Sequence, residues 1–376
     1  MTEPCEVVQE QSAWVHGFDE RQRGDAVTEG TAACESDHTT RRVLLAVHTG
    51  RADIVALARS AAARLTQAGI VVRLLEDEAE AMAVSGAEVC PFGPAAADGV
   101  EIVLVFGGDG TFLRAAELAR TTDAAITGVN LGRVGFLAET EPEAVEEMLT
   151  AVEACEYEVE QRLTLEATVL DADGVPTGEG TWALNEVSVE KVERSRVLDV
   201  VLEVDGHPLT SFGCDGILCA TPTGSTAYAF SAGGPVVWPD VEALLLVPTN
   251  AHALFARPLV TSPTSVLTVA VPPDGTRARI SADGRRVVDV PDGGRVEVRR
   301  SDRPVRIARV NPTSFGDRLV AKFGLPVRGF RDARSHGPGH EAPTTRTNVL
   351  IGDVNTSDGV LRTPEEVLRG HPDGAA

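Results

Sequence analysis

The chain has 376 residues, of which 43% are apolar and 24% charged, a composition typical of a globular protein with room for two domains. Its formal net charge of −22 argues against nonspecific binding to nucleic acid or to an anionic membrane, and an aromatic content of 4% disfavours base stacking. The sequence shows no apolar run long enough to span a bilayer, no signal peptide and no Cys-x-x-Cys pair among its six cysteines, which predicts a cytoplasmic protein with reduced thiols.

The first part of the chain predicts a disordered extension followed by an α/β domain. Residues 1–40 carry nine acidic and two basic side chains without hydrophobic periodicity, which is typical of a disordered acidic segment. A strand, an amphipathic helix and a second strand then follow one another between residues 43 and 75. This order predicts a doubly wound, Rossmann-like parallel sheet, which we assign to residues 41–155.

The most informative stretch of this domain is a glycine-rich motif made of Gly107, Gly108, Asp109, Gly110 and Thr111. A buried strand at residues 102–106 precedes it, and Thr111 is the expected N-cap of a helix over residues 112–120. Asp109 would then lie where α/β sheets bind ligands and where a helix N-terminus favours phosphate. Such a carboxylate can hold Mg²⁺, orient a hydroxyl group or accept its proton, and the alternative is a tight turn capped by the aspartate.

The rest of the chain predicts a second, all-β domain. A strand at residues 125–130 and a helix beginning near Pro142 complete the first domain. Short strands with Asp-Gly turns over residues 156–312 favour an all-β domain, either a sandwich or a barrel. A short helix within residues 313–330 is expected to pack back on the first domain, and residues 331–376 predict a disordered tail.

A second motif lies in the all-β domain and joins an apolar strand to a turn rich in hydroxyl groups and glycine. It runs from Thr221 to Ser231 and closes with Gly233-Gly234-Pro235. Its hydroxyl and main-chain N–H groups can hold ribose, a base edge or phosphate, and Tyr228 offers an aromatic face to a base. The alternative is a polar β-turn with a helix cap at Ser225.

The two motifs together resemble those of the NAD kinases. The first motif alone is similar to a signature shared by NAD kinases, 6-phosphofructokinases and the diacylglycerol or sphingosine kinases. The segments that resemble NAD kinases in particular are residues 130–137, 184–187 and 221–235. The resemblance covers most of residues 41–330 and implies a phosphofructokinase-like α/β domain followed by a β-sandwich.

The resemblance implies transfer of the γ-phosphoryl group of ATP to the 2′-hydroxyl of the adenosine ribose of NAD, giving NADP and ADP. It implies that Asp109 is catalytic, that Mg²⁺ binds together with ATP without an assigned protein ligand, and that polyphosphate is an open alternative to ATP. It also implies a homodimer or homotetramer in which a neighbouring subunit supplies part of the NAD site. The implied NAD contacts are Asp109, Gly110, Arg114, Asn185, Glu186, Arg196, Asp215, Thr226, Ala227, Tyr228, Ala229, Phe230, Ser231 and Asn250. Gly107, Gly108 and Thr111 form the expected phosphate loop.

Several of these assignments have alternatives. Asn185 and Glu186 are expected to hold the adenosine part of NAD, and Asp215 the nicotinamide side. Arg194 is a rival of Arg196, and both Arg196 and Arg114 fit solvated surface charges as well. A lipid or sugar kinase sharing only the first motif, and a noncatalytic NAD(P)-binding regulator, are the competing functions. A Rossmann oxidoreductase and a P-loop NTPase are disfavoured, because the sequence lacks both glycine-rich fingerprints.

Overall fold

A strand buried on both faces, residues 102–107, lies at the centre of the first sheet. The computed structural model describes residues 40–131, 135–138, 140–178, 180–273, 275–310 and 314–327. The predicted tails, residues 1–40 and 331–376, lie outside the described part of the chain except for Thr40. The described residues between 40 and 325 belong to one compact unit, which contains every element named below.

The N-terminal part alternates strands and helices, as its sequence predicts. Its strands are β1 (Arg42–Val47), β2 (Val71–Leu75), β3 (Glu88–Cys90), β4 (Ile102–Gly107), β5 (Ala125–Asn130) and β6 (Glu158–Arg162). Its helices are α1 (Ala52–Gln67), α2 (Glu76–Met82), α3 (Asp109–Ala119) and α4 (Val145–Ala154), and 3₁₀ turns at Pro94–Ala97 and Pro142–Ala144 precede β4 and α4. The short elements α2 and β3 were not predicted, because segments of three to seven residues carry too little periodicity.

Strands dominate the remainder of the chain. They are β7 (Leu165–Leu170), β8 (Thr181–Ala183), β9 (Glu186–Lys191), β10 (Leu198–Val204), β11 (His207–Cys214), β12 (Gly216–Ala220), β13 (Leu244–Thr249), β14 (Leu259–Thr261), β15 (Leu267–Ala270), β16 (Ala278–Ala282), β17 (Arg286–Val290), β18 (Arg295–Arg300) and β19 (Val305–Arg309). A 3₁₀ turn at Thr223–Thr226 leads into α5 (Tyr228–Ser231), and α6 (Phe315–Phe323) follows β19.

The first sheet has the strand order β3-β2-β1-β4-β5-β19-β6, and its neighbours pair in parallel except β6, which runs antiparallel to β19. The sequence division at residue 155 assigns β6 and β19 to the second domain, whereas both strands belong to the first sheet. Alternation along a single strand shows which side chains are buried but not which sheet the strand joins, so only the pairing corrects this boundary.

The side chains of β4 alternate between two core clusters. Ile102, Leu104 and Phe106 pack with the cluster that includes α1 and α4. Val103 and Val105 pack on the opposite face with the apolar side of α3. The side chains of β4 are apolar at every position because helices cover both faces of the sheet at this strand. The carboxyl end of this strand is thereby fixed at the start of α3.

The second domain consists of two six-stranded antiparallel sheets, ordered β11-β10-β15-β18-β7-β8 and β14-β13-β12-β9-β16-β17. One core cluster receives side chains from both sheets, for example Leu198 and Val298 from one and Val189 and Ile217 from the other. This shared core makes the domain a sandwich, which decides between the two architectures that the strand pattern leaves open.

Helix α3 begins earlier than the sequence predicts. It starts at Asp109, with the extended Gly108 (φ −103°, ψ −169°) as its N-cap and no side chain capping it. The main-chain N–H groups of Thr111 and Phe112 both donate to the carbonyl of Gly108, so Thr111 lies inside the first turn and the predicted Thr111 cap is wrong. A carboxylate in the first turn is itself favourable to the helix dipole. Among the described residues, no helix is long and apolar enough to cross a membrane.

Candidate active site

The carboxylate of Asp109 is held in one orientation by the loop that follows β5. Its oxygens accept hydrogen bonds from the main-chain N–H groups of Phe136 at 3.3 Å and Leu137 at 3.1 Å. A Cβ atom on Gly135 would lie 2.5 Å from Asp109 Oδ1, so a glycine is needed there for the carboxylate to fit. The side chain therefore enters the site already oriented by neutral donors.

The glycines around Asp109 have two different surroundings. A Cβ atom on Gly107 would lie 2.4 Å from Thr111 Oγ1, so this glycine allows α3 to begin close to β4. Gly108 and Gly110 have no protein atom within 4 Å of the Cβ position. Internal packing does not explain these two glycines, and open space beside a helix N-terminus suits a phosphate group.

Helix α6 brings a buried guanidinium group into the same region. Arg318 is 5% exposed, and burial lowers its pKa to about 10, while the nearby carboxylate of Asp109 opposes that shift. The side chain therefore stays cationic at neutral pH. The sequence analysis did not assign Arg318 to the site, because the two residues are far apart along the chain.

The main chain of Asn185 is held from two sides between β8 and β9. The carboxylate of Asp283 accepts the N–H of Asn185 at 2.7 Å and the N–H of Leu184 at 3.0 Å. On the other side, the N–H of Thr221 donates to the carbonyl oxygen of Asn185 at 2.9 Å. A Cβ atom on Gly224 would lie 2.0 Å from that carbonyl oxygen, so the glycine-rich turn packs directly on this segment.

The side chains of Asn185 and Glu186 contain buried acceptors that lack a protein partner. Each residue is 7% exposed, and Asn185 Oδ1 and Glu186 Oε2 make no hydrogen bond within the described part of the chain. Burial raises the pKa of Glu186 to about 8, and the negative charge of Asp283 adds to the effect while the N–H of Tyr228 opposes it. Leaving such groups unpaired costs about 1–3 kcal/mol each, and a ligand with N–H or O–H donors can satisfy them.

The residues of the 226–231 run differ in exposure. Ala229 is completely buried in a small cluster that also contains Leu245 and Val247, so its side chain faces the core. Tyr228 is 44% exposed and Phe230 is 38% exposed. The side chain of Ala229 thus belongs to the core. The surface of this helix that a ligand can reach is formed by its exposed neighbours, Tyr228 and Phe230.

A chain of aromatic contacts connects the two motifs through α6. The ring of Phe323 stacks on the ring of Phe230 at 4.4 Å and lies 6.0 Å from the ring of Phe136. The main-chain N–H of Phe136 is one of the two that donate to Asp109. Phe315 contacts Phe136 at 5.8 Å and Trp238 at 5.1 Å. Helix α6 thus contacts Phe136, in the loop after β5, and also contacts Phe230 and Trp238 of the second domain.

The guanidinium group of Arg114 pairs with two acidic side chains of α2. It donates to the buried carboxylate of Glu78 at 2.6 Å and forms an ion pair with Asp77. Burial raises the pKa of Glu78 to about 7. The side chain also lies 5.1 Å from the ring of Phe92. Arg114 is therefore not the solvated charge of the alternative interpretation, and its assignment to NAD stays a prediction.

Asp215 and Asn250 lie together, but at a distance from Glu186. Asn250 donates to Asp215 at 2.8 Å, and the hydrogen bond from Lys191, followed by that from Asn250, lowers the pKa of Asp215. In the pairing of β9 with β12, Glu186 lies opposite Ala220, so Asp215 lies five residues farther along, at the opposite end of the strand pair. At a rise of about 3.3 Å per residue, this separation is about 17 Å.

Arg196 is exposed in the turn between β9 and β10, and its main-chain N–H bonds to the carbonyl of Glu193 at 3.2 Å. Arg194 is equally exposed in the same turn. The structure therefore does not choose between these two arginines.

Sequence reasoning missed the N–H groups of Phe136 and Leu137, which orient Asp109, and the carboxylate of Asp283, which orients Asn185. Asp283 belongs to an Asp-Gly hairpin turn with φ values of 52° at Asp283 and 67° at Gly284, so its sequence signal was that of a turn. The chemical role of a turn aspartate depends on what lies opposite, which local sequence does not contain.

Two family models match the chain. The description "ATP-NAD kinase N-terminal domain" matches residues 43–157, and "ATP-NAD kinase C-terminal domain" matches residues 184–310. Among solved structures, an NAD kinase from Archaeoglobus fulgidus in complex with ATP is 28% identical and superposes with a TM-score of 0.55, covering 76% of this chain and 98% of that one. Yeast NADH kinase complexed with NADH has a TM-score of 0.70 at 20% identity, covering 78% and 90%, and shows likeness of fold alone.

Relatives with closely similar sequences carry the same description. NAD kinase of Thermobifida fusca is 52% identical over 300 residues, covering 78% of this chain and 92% of the relative. NAD kinase 2 of Streptomyces avermitilis is 54% identical over 296 residues, covering 78% and 97%. With more than half of the aligned residues identical over nearly the whole length of these relatives, the chain belongs to the NAD kinase family.

Proposed function

We propose that Asp109 orients the 2′-hydroxyl of the adenosine ribose of NAD and accepts its proton during phosphoryl transfer from ATP. A bond forms between the 2′-oxygen and the γ-phosphorus, the bond from the γ-phosphorus to the bridging oxygen breaks, and NADP and ADP result. A carboxylate is a far weaker base than a sugar alkoxide, so the proton moves late, when the attacking oxygen has lost electron density. The observation that carries this proposal is the fixed carboxylate of Asp109 beside the open Gly108 and Gly110 positions.

The unpaired acceptors of Asn185 and Glu186 support an adenosine site on the second domain. The amino group of adenine can donate to Asn185 Oδ1, and a ribose hydroxyl group, which both donates and accepts, can pair with the protonated carboxyl group of Glu186. Neither Asn185 Oδ1 nor Glu186 Oε2 has a partner within the described protein. The exposed ring of Tyr228, whose N–H lies at the Glu186 carboxylate, adds an aromatic surface beside these acceptors.

The phosphates of ATP are assigned to the N-terminus of α3. The Cβ positions of Gly108 and Gly110 border open space, and Arg318 contributes a buried positive charge. Mg²⁺ supplies charge neutralisation when it is bound with the phosphates of ATP. The carboxylate of Asp109, at the start of α3, would help to hold the ion together with the phosphate oxygens.

A homodimer or homotetramer is part of the proposal. Tyr228 and Phe230 expose aromatic surface, and the family resemblance implies that the 226–231 run is supplied in part by a neighbouring subunit, so a second copy is expected to complete one NAD site. Light scattering coupled to size-exclusion chromatography measures this directly, and a strictly monomeric active enzyme would contradict it.

The reaction is tested with purified protein, ATP, NAD and Mg²⁺ in an assay coupled to NADP formation. Asp109→Asn keeps the size and shape of the side chain and an acceptor oxygen for one of the two N–H groups, but it removes the base, so kcat should fall by at least about 100-fold. Asp123→Asn, at a fully exposed aspartate, is the control and should be unchanged. Chelation of Mg²⁺ should abolish turnover.

The outcomes separate the candidate functions. Turnover like the unmodified enzyme in Asp109→Asn would remove this residue from the chemistry. Transfer to diacylglycerol or fructose 6-phosphate instead of NAD would favour the other kinases that share the first motif. NAD binding without NADP formation would favour a regulator.

A further inference from the structure

A continuous set of polar contacts joins α3 to the Asn185 segment, and the proposed chemistry does not use it. We call Glu117, Arg286 and Asp283 the Arg286 bridge. Glu117 on α3 forms an ion pair with Arg286 at the start of β17. Arg286 donates to Asp283 Oδ2 at 2.8 Å and to the carbonyl oxygen of Trp182 at 2.8 Å. Asp283 in turn accepts the N–H of Asn185 at 2.7 Å.

The bridge is shielded from water along its length. The side chains of Glu117, Arg286 and Asp283 are 15%, 23% and 1% exposed. The guanidinium group of Arg286 lies 4.5 Å from the centre of the Trp182 ring, and that of Arg120 lies 4.6 Å from it. Charges in such surroundings interact more strongly than exposed pairs, and removing one partner leaves the other uncompensated.

The bridge connects the two halves of the proposed site. Glu117 lies eight residues after Asp109 on α3, a distance of about 12 Å along a rigid helix. Leu184, next to Asn185, is buried in the core cluster that contains the apolar face of α3. This segment is thus joined to α3 in two ways: Leu184 shares an apolar cluster with the helix, and Asn185 is connected to it through the Arg286 bridge.

Arg286 also determines how Asp283 can act. Burial raises the pKa of Asp283, and the hydrogen bonds from the N–H groups of Leu184 and Asn185, followed by the charge of Arg286, oppose that shift. Both Asp283 oxygens are used as acceptors, one by Asn185 and one by Leu184. A protonated carboxyl group would turn one acceptor into a donor facing an N–H group. The cation of Arg286 thus acts together with the two N–H groups to favour the ionised form of Asp283, in which both oxygens are acceptors.

We infer that Arg286 is a positioning residue for NAD, because it holds the Asn185–Glu186 main chain through Asp283 and fixes it through Glu117 to the helix that carries Asp109. This inference rests on the proposed function, because the distance that Arg286 would control is the one between the proposed base, Asp109, and the proposed adenosine site at Asn185 and Glu186.

The neighbouring arginine provides a matched control. Arg285 also pairs with Glu117, at 2.9 Å. Its described hydrogen bonds and ion pairs do not include Asp283 or Trp182, and Asp283 acts on it only through its charge. Arg286→Gln should raise KM for NAD by about tenfold or more while KM for ATP changes by less than about twofold. Arg285→Gln should leave both constants within about twofold. A merely structural loss would lower the amount of folded enzyme but not change KM for NAD.

Hydrogen exchange gives a readout that needs no activity. The amides of Leu184 and Asn185 should exchange at least about tenfold faster in Arg286→Gln and in Asp283→Asn than in the unmodified chain or in Arg285→Gln. Arg286→Lys, which keeps the charge but cannot reach three acceptors at once, should show an intermediate KM and serves if Arg286→Gln does not fold.

The outcomes are distinguishable from those of the proposed function. If the unmodified chain makes no NADP, the proposed function fails while the exchange rates still report on the bridge. If it makes NADP, but Arg286→Gln and Arg286→Lys match it in KM and exchange, or Arg285→Gln matches Arg286→Gln, the inference is overturned.

Discussion

A Cβ atom on Gly135 would lie 2.5 Å from Oδ1 of Asp109, so the carboxylate occupies the space that any other side chain at position 135 would fill. The next two N–H groups in the loop donate to the same carboxylate. Loop packing and neutral hydrogen bonds thus orient the proposed base. Rigid placement of this kind is what a reaction that depends on positioning requires.

Gly135→Ala should therefore displace the Asp109 carboxylate without changing any charge. Because small misplacements of reacting groups can cost about 100-fold in rate, we expect kcat to fall by about 10- to 100-fold. Gly178→Ala, where no atom lies within 4 Å of the new Cβ, is the control. Steady-state assays at saturating ATP and NAD measure the effect. An alanine variant with unchanged kcat would mean that the carboxylate orientation does not matter.

The glycines Gly107 and Gly108 should respond differently to alanine. At Gly107 the new Cβ would lie 2.4 Å from Thr111 Oγ1, so we expect unfolding free energy to drop by about 1–3 kcal/mol from overpacking. At Gly108 the space is open, so stability should change by less than about 1 kcal/mol. KM for ATP should nevertheless rise by about tenfold at Gly108, if phosphate approaches the main chain there.

Urea unfolding and ATP kinetics separate these two expectations. A Gly108→Ala enzyme that binds ATP normally would remove this glycine from the phosphate site. A Gly107→Ala chain as stable as the unmodified one would show that α3 relaxes away from Thr111 without loss.

The buried Glu186 should make stability fall with rising pH in the absence of nucleotide. Its pKa is raised from 4.5 to about 8, chiefly by burial and then by the charge of Asp283. Between these values the folded chain keeps a proton that the unfolded chain has lost, so the free energy of unfolding decreases as pH rises. Glu186→Gln has no carboxyl group to titrate at this position. Between pH 5 and 9 its free energy of unfolding should therefore fall by at least about 1 kcal/mol less than that of the unmodified chain.

Urea titrations across that pH range provide the measurement. Glu143→Gln, at an exposed position, should keep the pH dependence of the unmodified chain. Equal slopes in Glu186→Gln and the unmodified chain would show that Glu186 titrates as it does in water. The buried Glu78 has a pKa raised to about 7 and contributes in the same direction in every variant.

The aromatic contacts of Phe323 should couple α6 to catalysis. Phe323→Ala removes the 4.4 Å stack on Phe230 and the 6.0 Å contact with Phe136. Since an aromatic pair contributes about 0.5–1.5 kcal/mol beyond area burial, we expect a loss of about 1–2 kcal/mol in stability. We also expect kcat to fall, because the Phe136 loop orients Asp109. Leu325→Ala, just beyond α6 and 47% exposed, is the control, and an unchanged kcat in Phe323→Ala would separate α6 from the site.

The elements that could be predicted are those whose signals are local. The strands at residues 43–47 and 102–106 were predicted from apolar runs, a strand was also predicted at residues 125–130, and the structure confirms all three. The predicted start of α3 was wrong by three residues. Thr111 resembled an N-cap in the sequence, but the N-cap is Gly108, whose carbonyl oxygen accepts the first hydrogen bonds of the helix. The membership of β6 and β19 in the first sheet required knowledge of pairing partners that no single segment holds.

By itself, the amino-acid sequence determined that a buried strand ends in a glycine-rich turn carrying Asp109, and that a hydroxyl-rich turn lies in a later β domain. These are properties of neighbouring residues, and short-range sterics and hydrogen bonding express them directly. Only the tertiary structure decided that Gly135, Asp283, Arg286 and α6 surround these turns. Such contacts join residues far apart in the chain, and they depend on how the sheets close around their shared cores rather than on any local preference.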